Sequence, residues 1–118
     1  MLLRASGASR NEAYDLRAVM QPGTSTGIAH DRVLMELVDA TLGTDETRRA
    51  TAREAVVRDL GPAALIDTAA IIGSFTQAVR TADGAGIPLD EPLEMMTRDL
   101  RAELGVTRFA SAANTPGA

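Results

Sequence analysis

Residues 62–83 read Pro-Ala-Ala-Leu-Ile-Asp-Thr-Ala-Ala-Ile-Ile-Gly-Ser-Phe-Thr-Gln-Ala-Val-Arg-Thr-Ala-Asp. The stretch follows Gly61, which suits the end of one helix, and starts on a proline that suits the first turn of the next. Gly84-Ala85-Gly86-Ile87-Pro88 ends it. As a helix it spans roughly 33 Å, the diameter of a small domain. Leu65, Ile66, Ala69, Ala70, Ile71, Ile72, Phe75, Ala78 and Val79 cover nearly its whole circumference. A helix apolar all round is expected to be buried on several sides. Ala69, Ala70, Gly73 and Ser74 leave room for neighbours to come close. The stretch therefore predicts an all-α fold packed around helix 62–83. So short a chain has few elements to cover such a helix, so a homo-oligomer assembled through it is expected.

Every other strong signal is also helical. Ser9-Arg10-Asn11-Glu12 matches a capping box, which predicts a helix from there to about Met20. Ala13, Leu16, Val19 and Met20 share one side of it, and Gln21-Pro22-Gly23 stops it. Residues 1–5 read as the last turn of an earlier element. A second helix is predicted from His30 to Leu42, with Val33, Leu34, Leu37, Val38 and Thr41 at helical spacing and Gly43 as its C-terminal cap. A third starts at Thr44-Asp45-Glu46, with acids favoured in the first turn. Ala52, Val56 and Leu60 face its core, while Arg48, Arg49, Arg53 and Arg58 face water. A fifth is capped by Asp90, has Pro92 in its first turn, presents Leu93, Met96, Leu100 and Leu104 on one face, and stops at Gly105. The adjacent Met95 and Met96 read as adaptable packing. The expected organisation is about five helices in a single domain over residues 1–105, then a C-terminal tail over 106–118 docked by Phe109.

Composition narrows the chemistry. The 118 residues include no cysteine, so disulfides, thiolate zinc sites, iron–sulfur clusters and thiol redox chemistry are excluded. One histidine excludes a multi-histidine metal site. The net charge of -4 and the lack of a basic patch interleaved with aromatics argue against nucleic-acid binding. Arg4 follows Met1-Leu2-Leu3 at once, leaving no apolar signal core. Asp67 and Gln77 interrupt the most apolar run, which predicts no membrane span and a cytoplasmic protein. Gly84-x-Gly86 follows a helix instead of preceding one, so it offers no phosphate cradle, and no cofactor is indicated.

Phe75-x4-Arg80-x-Ala82-Asp83-x2-Gly86-Ile87-Pro88-Leu89-Asp90 resembles the C-terminal signature of the alkylhydroperoxidase-like, or carboxymuconolactone decarboxylase, superfamily. Gly7-Ala8-Ser9-x2-Glu12-x3-Leu16 resembles the segment after that family's active-site helix, and Leu34 to Leu42 resembles its next helix. The likeness covers roughly Leu3 to Asp90. It implies an alkylhydroperoxidase-like helical bundle that assembles through its long helix. The family's peroxidase branch uses a Cys-x-x-Cys pair, and a chain without cysteine cannot run that relay. Thr76 and Val79 stand where the family often has asparagines. Decarboxylase-type members keep a histidine about eight residues before the equivalent of Gly7, a position ahead of Met1. The resemblance thus implies acid/base chemistry on a small organic acid or lactone, or a non-catalytic accessory subunit that a partner chain supplies with the missing helix. A small-molecule binding protein is a third reading.

Four residues are candidates for chemistry. His30 beside Asp31 has the makings of a general base oriented by a carboxylate, although a lone histidine at a helix start is more often inert. Arg80 and Asp83, three apart, suit either a grip on a substrate carboxylate or an ion pair with each other. Tyr14, the single phenol, suits an oxyanion donor or a half-buried rim tyrosine. Asp67 lies in an apolar context, where burial would raise its pKa, though such a group usually reaches solvent. Glu36 and Asp39 share a helix face but lack a third metal ligand.

Overall fold

The computed structural model describes residues 2–21 and 23–114. The chain is all-α, with five helices: α1 (Leu2–Ser9), α2 (Asp31–Leu42), α3 (Glu46–Leu60), α4 (Pro62–Ala85) and α5 (Glu91–Leu104). Short 3₁₀ turns cover Leu16–Val19, Val106–Arg108 and Ala110–Asn114. The chain divides into two compact units. Ile28–Gln77 forms one; the residues up to Gly27, together with those from Ala78 onward, form the other.

The Ile28–Gln77 unit holds the buried core. Leu37 and Ala40 of α2 meet Ala52 and Val56 of α3 and Ile72 of α4, with Val33, Val38, Leu60, Ala64 and Leu65 around them. Leu37 and Val56 are fully enclosed, at 2% and 0% exposure. Enclosing a side chain of this kind stabilises by about 1.5–3 kcal/mol. Asp45 caps α3, its Oδ1 accepting from the Arg48 N–H at 2.9 Å. Arg49, expected to face water, is half-buried and reaches back to the end of α2. Its Nε donates to the Ala40 carbonyl at 3.3 Å and its Nη2 to the Gly43 carbonyl at 2.8 Å. It thereby satisfies carbonyls that a helix end leaves without partners. Gly61 then turns the chain into α4 at φ +89°.

In the other unit, the first expected helix is displaced. The Ser9–Glu12 pattern ends α1 instead of opening a helix. The Gly7 carbonyl accepts from the N–H groups of Arg10 and Glu12 at 2.9 and 2.8 Å. Asn11 takes the left-handed conformation at φ +58°, a role asparagine tolerates where helices stop. The Ser9 hydroxyl donates back to the Ser6 carbonyl at 2.8 Å and caps nothing. Only Leu16–Val19 coils again, as a 3₁₀ turn capped by Asp15, whose Oδ1 accepts from the Arg17 N–H. The side chains of residues 1–5, Pro22 in the expected stop, and residues 115–118 of the tail lie outside the described residues.

Two further expectations are corrected. Of α4, only Ile72 is buried, so this chain by itself does not enclose the helix. In α5 no residue is buried, and Leu93, Met95 and Met96 are exposed. Its ends do follow the sequence: Asp90 sits at the N-cap, and Gly105 stops the helix in the left-handed conformation at φ +65°. The tail is not featureless: the Val106–Arg108 turn packs beside α5 and the Ala110–Asn114 turn beside the first.

Candidate functional site

Tyr14 is half-buried beside α1. Its ring lies over Gly7, where an added Cβ would come within 2.9 Å of Tyr14 Cδ2 and Cε2. The Tyr14 hydroxyl donates to Glu12 Oε2 in a short hydrogen bond. That bond to Glu12 is the main reason the phenol titrates above its usual value, with burial and the glutamate charge adding to it and Arg10 opposing. Beside it, Arg17 donates to both oxygens of Asp15, at 2.9 Å from Nε to Oδ1 and 2.7 Å from Nη2 to Oδ2. Ala13, Tyr14, Asp15, Arg17 and Glu103 line a shallow recess of about 350 Å³. A phenol held protonated beside a carboxylate is a donor, not a base.

His30 lies in the Ile28–Gln77 unit, exposed, just ahead of α2, and in the left-handed conformation at φ +60°. Asp31, the first residue of α2, accepts from the Arg32 N–H through Oδ1 at 2.6 Å, and His30 at the N-cap makes no side-chain capping bond. The charge that senses His30 is Asp59. Its carboxyl titrates below the usual range, chiefly through its hydrogen bond from Arg58, and His30 adds to the effect. In the same unit Arg48 holds Glu36 through Nε at 2.7 Å and Nη2 at 2.9 Å, and lies 3.9 Å from Asp39. The two carboxylates on that helix face are therefore joined by an arginine.

Arg80 and Asp83 both lie in the other unit, on the exposed end of α4. No hydrogen bond or ion pair joins their side chains among the described residues. Exposed pairs at this spacing gain little in water, so the expected ion pair has no strong hold on either side chain. Asp83 instead lines a recess of about 410 Å³, together with Ile87, Pro88, Leu89, Arg101, Val106 and Phe109. Tyr14 and Arg80 do not line it. Arg101 came from no sequence signal. It is anchored by Glu94, whose Oε1 and backbone carbonyl accept from its Nη2 at 2.7 and 3.3 Å. Arg98 also holds Glu94, at 2.8 Å, and its hydrogen bond is the main cause that keeps this carboxyl below its usual range. The tail's contribution does have a sequence signal. Val106, Phe109 and Ala112 recur every three residues, the period of a 3₁₀ helix, and all three line the recess.

The remaining feature is α4. Ile71, Phe75, Ala78, Val79 and Ala82 recur at i, i+4, i+7, i+8 and i+11, which places them on one helix face. Ile71, Phe75 and Val79 are 59%, 70% and 54% exposed. By length and composition alone, α4 is long and apolar enough to cross a membrane. Among the described residues no cluster of three acidic or histidine side chains could hold a metal ion. No protein-family model, curated protein or solved structure matches this chain.

Proposed function

We propose that this chain is a self-assembling helical subunit, oligomerising or accessory in role, that pairs with a second copy through α4. The observation that carries the reading is the exposed stripe of Ile71, Phe75, Ala78 and Val79, continued by the half-buried Ala82. The stripe has the spacing of a coiled-coil seam, with Phe75 and Ala82 in one heptad position and Ile71 and Ala78 in the other. Each position pairs one large residue with one small one. If two copies run antiparallel, Phe75 meets the partner copy's alanine at 78, and Ile71 meets its alanine at 82. Every layer then holds one bulky and one small side chain, which packs without voids or overfilling.

Magnitude favours a reversible assembly. Two Ile71 and two Phe75 side chains contribute about 6–12 kcal/mol on burial. Association itself costs about 4–15 kcal/mol. Asp67 and Arg80 within α4 favour a protein partner over hydrocarbon, where ionisable groups are expensive. Acid/base catalysis, implied by the family resemblance, has less support. Tyr14, Arg80 and Asp83 share one unit but no hydrogen bond or ion pair, and Glu12 holds the phenol protonated.

Sedimentation of the whole chain over a concentration series tests the proposal. The natural chain should move from monomer to dimer as concentration rises, and Phe75→Glu should stay monomeric with its helical circular dichroism intact. A natural chain that is monomeric throughout, or a Phe75→Glu chain that still dimerises, would overturn it. Partition of the natural chain into phospholipid vesicles, abolished by Phe75→Glu without any dimer in solution, would favour the membrane instead.

A further inference from the structure

A second feature is the open recess lined by the end of α4, by α5 and by the C-terminal segment. Its walls are apolar where Ile87, Pro88, Leu89, Val106 and Phe109 contribute, and it carries one charge of each sign, Asp83 and Arg101. Neither charge is fully satisfied. The Asp83 carboxylate makes no hydrogen bond or ion pair among the described residues. Arg101 uses Nη2 alone, on Glu94. Its Nη1 has no acceptor among the described residues, and its Nε, also without one, is enclosed and out of a ligand's reach. Glu94 fixes the guanidinium through Nη2 and leaves Nη1 as the donor open to a ligand.

We infer that this recess binds a zwitterionic α-amino acid with an apolar side chain. Arg101 takes the carboxylate, Asp83 takes the ammonium group, and the apolar wall takes the side chain. A simple organic anion would bring its carboxylate beside the unpaired Asp83 and be repelled. A simple amine would meet Arg101 in the same way. Only a ligand carrying both charges pairs with both residues, and the volume of about 410 Å³ suits a molecule of this size. The inference concerns one unit of one chain and does not depend on pairing through α4.

Calorimetric titration of the full chain with L-leucine and L-phenylalanine tests it. Both should bind saturably at one site per chain. N-Acetyl-leucine, which lacks the ammonium charge, and leucinamide, which lacks the carboxylate, should each bind about tenfold more weakly or worse, as loss of a charge-assisted hydrogen bond predicts. Asp83→Asn, a change at an exposed position that leaves the fold intact, should weaken leucine by a similar factor and strengthen N-acetyl-leucine, whose carboxylate then meets no like charge. Phe109→Ala should weaken phenylalanine and leucine together. Absence of saturable binding by either amino acid overturns the inference, as does N-acetyl-leucine or leucinamide binding as tightly as leucine. Equal leucine affinity in the natural chain and Asp83→Asn also overturns it.

Discussion

Tyr14 and Glu94 are shifted in ways that titration and acid unfolding can read. Tyr14 is the only tyrosine in the chain, so its phenol can be titrated by absorbance with no interference from another. The hydrogen bond to Glu12 stabilises the neutral phenol, and the glutamate charge opposes the phenolate. The midpoint should therefore lie above the usual value near 10, and Glu12→Gln should bring it down toward that value. An unshifted midpoint in the natural chain, or no change on substitution, would remove the Glu12–Tyr14 bond from the description. Glu94 works in the opposite direction. Arg98 and Arg101 favour its ionised form in the folded chain, so its folded pKa lies below the unfolded value. Its contribution to stability is present above the unfolded carboxylate pKa and is lost as pH falls through the lower, folded one. Thermal unfolding followed from pH 6 to pH 3 should show a shallower acid loss in Glu94→Gln than in the natural chain. Glu36 and Asp59 are lowered by their own arginines in the same sense, so some acid loss should persist in that variant.

Among the elements, the α2–α3 pair is the part with a closed core, and it is where substitutions should be felt most. Leu37→Ala removes a fully enclosed side chain and should cost about 2–5 kcal/mol in urea unfolding. Ile66→Ala, on an exposed stretch of α4, should stay within about 0.5 kcal/mol of the natural chain. Equal losses at the two positions would contradict the placement of the core. These same elements were the most legible in sequence. Asp45, Gly61, Asp90 and Gly105 punctuate helices whose residues meet a local geometric requirement, so their bounds follow from short-range chemistry. The first helix was misread because Ser9-x-x-Glu12 fits either end of a helix. The backbone decides between them through the carbonyl of Gly7 and the positive φ of Asn11, which no residue pattern displays. The candidate site was less legible for a similar reason. Asp83 was singled out for a pairing with Arg80 three residues away, yet it lines a recess with Arg101, which lies on another helix. Spacing along a helix reveals neighbours on that helix, whereas a recess gathers side chains from segments far apart in the chain. In the tail, the signal is the Val106, Phe109 and Ala112 repeat, whose period of three is that of a 3₁₀ helix and not of an α-helix.

At the scale of the whole molecule, the long helix sets the terms. Its apolar circumference implied burial, yet within one chain only Ile72 is enclosed. The difference between those two statements is a surface of Ile71, Phe75 and Val79 that a single copy leaves in water. A stripe that merely repels water would tolerate any large apolar substitution, whereas a seam with alternating large and small residues is specific about volume. That distinction can be measured. Ala78→Phe should weaken self-association, because it sets two phenylalanines in one layer and overfills it, a disturbance of about 1–3 kcal/mol per layer. Phe75→Ala should weaken it by removing the large member of the same layer. The double change, Phe75→Ala with Ala78→Phe, exchanges large and small within the antiparallel layer and should restore association toward that of the natural chain, against the additive loss expected of independent sites. Sedimentation at matched concentrations reads all four chains. Recovery in the double variant requires the residue at 75 in one copy to face the residue at 78 in the other. A double variant as weak as the sum of its parents would exclude that register while leaving helix α4 free to pair in another.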